Sequence, residues 1–251
     1  MYYLSVLSIF KNETMNLKVW LDHYIWQGVD HFYLIDNGST DNPLDILQPY
    51  INNGIVTYTY QPEPHKQVEH YRNMFDRENL KEKTYWLTVC DLDEFFYGVD
   101  KKLSIKIRTL ESQYHVIYVN WLMFGNENLT DHPPDIRTAI VHRKRPIHEN
   151  TKYIFKTLAI QDSLQIGMHT LLNYPHPTRI RIANQLIRLN HYPIQSLEFF
   201  QKVKMTRGDA STSSSDNVRD MNYFNSYNEN ANFNDETLKN LIESPPPNYN
   251  K

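Results

Sequence analysis

The stretch from Thr84 to Phe96 constrains the fold of this chain more than any other. Tyr85 to Cys90 is an apolar, β-favouring run that meets three acids, Asp91, Asp93 and Glu94, within four positions. A continuous apolar run with little alternation suits a strand covered on both faces of a parallel sheet. Ligands of open α/β sheets bind beyond the carboxyl ends of the strands, which is where this run delivers Asp91 and Asp93. Two carboxylates at i and i+2 on a chain leaving a strand can share one hard cation. Mg²⁺ or Mn²⁺ held this way keeps positions for waters and substrate phosphates. On spacing alone a strand end followed by solvated acids is the better reading, and an Asp-x-Asp by itself is a weak signal. Phe95 and Phe96 weigh the other way, because acids beside two aromatics make a poor free surface turn.

The residues before this stretch alternate between two periods. Tyr2 to Phe10 reads as a buried strand, and Asn12 as the cap of a helix carrying Leu17, Trp20, Leu21, Tyr24 and Ile25 at helical spacing. Gly28 ends that helix. A strand from His31 to Ile35 runs into turn formers from Asp36 to Asn42, followed by a helix at Leu44–Ile51, a strand at Ile55–Tyr60 and a helix at Val68–Leu80. Strand–helix repetition of this kind predicts a doubly wound α/β sheet. Neither a dinucleotide-binding Gly-x-Gly-x-x-Gly nor a Walker-type loop follows the first strand. Polar and acidic residues stand at the strand ends instead: Asn12 and Glu13, then Asp36, Asn37, Ser39 and Asp41, then Asp91 and Asp93. Each cluster alone is a capped helix or a tight turn. Their recurrence at three strand ends, converging on one sheet edge, points to a ligand.

Beyond Asp93 the pattern loosens. A helix at Leu103–Leu110 and a strand at His115–Phe124 are followed by an irregular excursion over Asp131–Arg145, with short strands at Ile154–Ile160 and Gln165–Leu171. His169, between apolar neighbours, reads first as a satisfied core histidine. Ile180–Leu189 leads to Asn190-His191-Tyr192, and Ser196 caps a helix over Leu197–Thr206 in which Lys202, Lys204 and Arg207 form a basic edge. Residues 210–234 are rich in Ser, Asn and Asp and read as a loop or partial disorder. A weak helix at Asp235–Ile242 and a proline-rich tail complete the chain. The expected division is a catalytic domain over 1–210 and a polar, partly flexible extension over 211–251. With 26 basic and 29 acidic residues, nothing in the charge calls for nucleic acid or an anionic membrane. A single cysteine, Cys90, rules out an intrachain disulfide and favours a reducing compartment. No run approaches membrane-span length and no signal-type segment follows Met1, so a cytoplasmic location is expected.

Taken in order, these segments resemble the GT-A glycosyltransferases, and within them the family 92-like or "glycosyltransferase-like family 2" group. The resemblance rests on Lys11-Asn12-Glu13, Trp20-Leu21, Phe32 through Asp36-Asn37-Gly38-Ser39 and Asp41, and Asp91-Leu92-Asp93-Glu94-Phe95-Phe96. It continues through Asn120-Trp121, Phe124-Gly125, Lys156, His169, Asn190-His191-Tyr192 and Ser196 to Arg207-Gly208. It implies a GT-A type (Rossmann-like) doubly wound, mostly parallel α/β sheet with an irregular acceptor-side carboxyl-terminal part. The implied activity is transfer of a sugar from a nucleotide-diphosphate donor, a UDP-sugar, to a hydroxyl of a glycan acceptor with inversion. Asp91, Asp93 and His191 would hold Mn²⁺ or Mg²⁺. Asn12, Glu13, Asp36, Asn37, Ser39, Gln67, Asp91, Lys202 and Arg207 would surround the nucleotide, and Trp121 and His169 the acceptor. Glu127, following the fifth strand beside Trp121 and Phe124, is the first candidate for the base that takes the acceptor's proton, and Asp131 the second. Two other readings stand beside this one. A Mg²⁺-dependent nucleotidyltransferase would carry a Gly-rich basic loop near strand one, but Tyr2 to Asn16 has no glycine. A degenerate module that only binds a nucleotide sugar or glycan is opposed by the intact Asp91, Asp93 and His191.

Overall fold

The computed structural model describes residues 1–174, 179–182, 184–208 and 219–249. Its first half follows the expected alternation: β1 (Tyr2–Phe10), α1 (Thr14–Trp26), β2 (His31–Asp36), α2 (Leu44–Asn52), β3 (Val56–Tyr60), α3 (Gln67–Arg77), the short α4 (Leu80–Lys83) and β4 (Thr84–Val89). Strands β3, β2, β1 and β4 lie side by side and parallel. Alternation along each strand explains why these runs are apolar on both faces. Leu4, Val6, Phe32, Leu34 and Trp86 join Leu17, Trp20 and Leu21 of α1 in one core. Leu7, Ile9, Tyr33, Ile35, Leu87 and Val89 join Tyr71, Met74 and Phe75 of α3 in a second.

Gly28 ends α1 as the spacing predicts, at φ +85° with Val29 N donating to Tyr24 O. Asn12 does not cap it. Asn12 stands in the left-handed region, and its Oδ1 accepts from Thr40 N at 2.8 Å. The cap is non-local: Asp41 Oδ2 accepts from Thr14 N at 2.9 Å and Thr14 Oγ1 at 2.8 Å.

The second half contains β5 (Glu94–Gly98), α5 (Leu103–Leu110), β6 (Val116–Met123), α6 (Ile136–Ala139), β7 (His142–Arg143), β8 (Thr151–Lys156), β9 (Arg179–Ile182), β10 (Ile187–His191), α7 (Leu197–Lys202), α8 (Met221–Asn228), β11 (Phe233–Asn234) and α9 (Thr237–Glu243). Strand β8 enters antiparallel between β4 and β6, β10 and β9 lie parallel to β6, and β5 closes the edge antiparallel to β10. The sheet is mixed and mostly parallel, as a GT-A type fold requires. Several local expectations change here. The acids after β4 do not end the extended chain, which resumes at once as β5. The run Ile154–Ile160 leaves the sheet after Lys156 in a 3₁₀ turn, Thr157–Ala159. Gln165–Leu171 follows a 3₁₀ turn at Ser163–Gln165 and holds an isolated bridge between Ile166 and Leu171 rather than a strand. In the excursion, α6 and β7 form where no element was expected. Ser196 does cap α7, its Oγ accepting from Phe199 N, but the helix gives way after Lys202 to a 3₁₀ turn at Lys204–Thr206.

The expected boundary at 210 and residues 210–218 of the expected loop lie outside the described residues. Residues 221–228 form a helix rather than a loop. The tail docks: Tyr249 is buried, donates to Gly98 O at 2.8 Å and accepts from Gln27 Nε2 at 2.9 Å. No helix among the described residues is long and apolar enough to cross a membrane.

Candidate active site

A cavity of about 820 Å³ opens beyond the carboxyl ends of β1, β4 and β10. Its wall includes Glu13, Asn37, Gln67, Asp91, Asp93, Trp121, His169, His191, Lys204 and Arg207. The two aspartates that leave β4 face different partners. Asp91 Oδ2 accepts from Lys152 Nζ at 2.8 Å, and Oδ1 from Gln67 Nε2 at 3.3 Å and Tyr71 OH at 3.4 Å. Lys152 is wholly buried on β8 and also lies 3.5 Å from the buried Glu94, whose Oε2 accepts from Asp91 N at 2.9 Å. Burial pushes the Glu94 carboxyl up to about 8 against the opposing pull of Lys152, with Asp91 and Asp93 adding to the rise. Burial alone would lower the Lys152 ammonium, but Asp91 and Glu94 outweigh it and hold it well above the usual lysine range.

Asp93 Oδ2 accepts from Lys204 Nζ at 2.8 Å, and its Oδ1 lies 3.5 Å from His191 Nε2. Burial works to raise the Asp93 carboxyl, yet Lys204 and then His191 keep it well below the usual carboxylate range. Lys204 Nζ also sits 3.5 Å from Glu13 Oε1. The Arg207 guanidinium bonds that same oxygen and reaches Lys11 O at 2.5 Å. Around the cavity, Glu13 Oε2, Trp121 Nε1, His169 Nδ1 and His191 Nδ1 are buried with no hydrogen-bond partner among the described residues. Unpaired buried polar atoms cost about 1–3 kcal/mol each, so four at one wall mark a surface shaped for something polar.

The structure gathers some of the sequence-predicted residues and disperses others. Glu13, Asn37, Gln67, Asp91, Asp93, Trp121, His169, His191 and Arg207 line the cavity. Asn12, Asp36 and Ser39 do not. Asp36 accepts from Tyr58 OH and Ser39 N, and Ser39 Oγ accepts from Asn12 N, so the three lock neighbouring loops together. Neither candidate base reaches the cavity. Glu127 stands at φ +52°, and its Oε1 accepts from Val141 N at 2.9 Å, His142 N at 2.6 Å and His142 Nδ1 at 2.9 Å, which ties the excursion down. Asp131 is exposed. Lys202 is exposed and paired with Glu198 at 2.7 Å, and Lys204 takes the inward position instead. Sequence reasoning missed Lys152 and Glu94 as members of the site. The one signal for Lys152 is a lone cation opening the apolar run Tyr153-Ile154-Phe155.

Among the described residues no three His, Cys, Asp or Glu side chains come together as a metal cage. Asp93 and His191 nonetheless offer one oxygen and one nitrogen at the cavity wall. That pair fits a divalent ion which takes its other positions from water and substrate phosphates. Asp91 is committed to Lys152.

The mixed, mostly parallel sheet with its helices is of the GT-A type that the sequence resemblance implies. The chain belongs to glycosyltransferase family 92, whose model matches residues 2–244. It is 25% identical over 220 residues to a glycosyltransferase family 92 protein from Ricinus communis. The match takes in 80% of this chain and 36% of that protein, so the chain spans about a third of the curated relative's length. Among solved structures, S. aureus TarS 1-349 in complex with UDP gives a TM-score of 0.47 at 13% identity, over 76% of this chain and 60% of that one. A second structure of S. aureus TarS 1-349 gives the same TM-score, 0.47, at 13% identity over 96% of this chain and 72% of that one.

Proposed function

We propose that this chain transfers a sugar from a UDP-sugar to a hydroxyl of a glycan acceptor, in a metal-dependent, inverting reaction. The observation that carries this reading is the meeting of Asp93 and His191 at the cavity wall, with Lys204 and Arg207 beside them. Departure of a nucleoside diphosphate puts negative charge where these groups face. A divalent ion, Mn²⁺ or Mg²⁺, supplies positive charge to the diphosphate when bound, and Asp93 and His191 are the residues that would hold it. Lys204 and Arg207 contribute further positive charge to the phosphates. Asn37, Gln67 and Asp91 border the nucleotide, and Trp121 and His169 the acceptor.

The test is thermal unfolding with a panel of nucleotide sugars, with and without Mn²⁺. UDP and one UDP-sugar are expected to raise Tm by several degrees only when Mn²⁺ is present, and Asp93→Ala is expected to fold but lose that response. Stabilisation by a nucleoside triphosphate and not by UDP would replace this reading with the nucleotidyltransferase.

A further inference from the structure

Lys204 stands where a cation bound to Asp93 would stand. Its ammonium is 2.8 Å from Asp93 Oδ2 and 3.5 Å from Glu13 Oε1, and its side chain is 5% exposed. The ammonium also lies 5.5 Å from the centre of the Phe199 ring. Arg207 is fastened differently, with a backbone carbonyl, Lys11 O, as well as Glu13. Among the described residues, the ion-paired group here sets Glu13 and Asp93 against Lys204 and Arg207, two against two. The formal charges of that group balance. A divalent ion placed on Asp93 with the ammonium still there would crowd like charges within a few ångströms at a poorly solvated wall. A diphosphate arriving with the ion reverses that excess. Lysine suits such an exchange, because its compact charge rides a flexible four-carbon stem with three rotatable donors.

We propose that Lys204 is an exchangeable counter-ion: it neutralises Asp93 in the free protein, then yields that carboxylate to a divalent ion and carries its charge to a phosphate oxygen of the donor. The proposal rests on the donor reading above and adds to it an energetic coupling between two ligands. The ion alone competes with Lys204 and binds weakly. Ion and diphosphate together satisfy all the charges, so each strengthens the other by the same factor.

Mn²⁺ binding measured by the EPR signal of the free ion, with and without UDP, tests this on the full chain. In the wild-type protein UDP is expected to tighten Mn²⁺ binding by roughly 5–150-fold, the usual range for coupled sites. Lys204→Met is expected to bind Mn²⁺ alone about tenfold more tightly than wild type, because the competitor is gone, and to lose most of the coupling. Lys204→Arg should keep the coupling, and Asp93→Asn should abolish Mn²⁺ binding in both backgrounds. Lys204→Gln, which keeps a hydrogen-bond donor without the charge, serves as the second neutral variant if Lys204→Met folds poorly. Equal affinity for Mn²⁺ alone in wild type and the neutral variants would overturn the proposal. Failure of every protein to bind UDP under any condition would instead overturn the donor reading and, with it, the phosphate half of the exchange. The Mn²⁺-only comparison would still decide whether Lys204 guards Asp93.

Discussion

Asp91 and Asp93 are two residues apart and each is met by a lysine at 2.8 Å, yet the two pairs are built for different work. Lys152 stands inside the sheet on β8, wholly buried, with Asp91 on one side and Glu94 on the other. Asp91 is further held by Gln67 and Tyr71. Lys204 rides a single 3₁₀ turn at the cavity wall, and both of its ionic partners face that cavity. A sequence motif of two aspartates thus divides into one carboxylate whose lysine lies inside the sheet and one whose lysine lies at the cavity wall. What separates them is the element carrying the opposing charge: a strand inside the sheet for Lys152, a 3₁₀ turn at the cavity wall for Lys204.

That contrast can be broken most directly at Lys152. Lys152→Met strands Asp91 beside Glu94 without a counter-charge and is expected to cost about 3–5 kcal/mol in a denaturant titration, a loss Mn²⁺ does not restore. If Mn²⁺ rescued this variant as it is expected to stabilise Lys204→Met, the two pairs would be equivalent and the distinction lost. A smaller effect sharpens the framework side. Glu94 is protonated up to about 8 in the folded chain but ionises near 4.5 when unfolded, so between these values the unfolded state binds fewer protons and stability falls as pH rises. Glu94→Gln removes that titration. Between pH 4.5 and 8 the wild type is expected to lose stability that the variant keeps, and parallel stability profiles would show that Glu94 ionises normally. The smallest effect belongs to Lys202. Lys202→Ala breaks only a surface pair and should leave stability and the affinity for UDP with Mn²⁺ unchanged. A clear loss of UDP affinity would return Lys202 to the phosphates.

How far the sequence spoke for this molecule follows the distance over which its contacts act. Strands β1 to β4 and the helices between them were legible because each apolar run shows a strand or helix period within itself. Strand β5 was not: Phe95, Phe96 and Tyr97 look like packing for the acids until β10 arrives, pairing Asn190 with Phe95. In the candidate site, Asp91 and Asp93 declared themselves by position at a strand end. Their lysines lie 61 and 111 residues further on, and nothing local to Lys152 or Lys204 names its partner. Glu127 was chosen for its place after β6, but a left-handed turn sends its carboxylate back to Val141 and His142. Lys202 and Lys204 sit on one basic edge in sequence, and only the change from α-helix to 3₁₀ turn decides which faces inward. Asn12 failed as a cap for the same reason, since the carboxylate that caps α1 belongs to the next loop, at Asp41.

Strand β10 is paired on both sides, His191 lying opposite Glu94 on β5 and opposite Met123 on β6. This double registration brings the imidazole to Asp93. Side chains alternate along a strand, so a slip of one residue would turn His191 to the far face and present Asn190 or Tyr192 in its place. The strand behaves as a reading frame. A single inserted residue within β10 would delete the imidazole from the site while leaving every amino acid of the site in the chain.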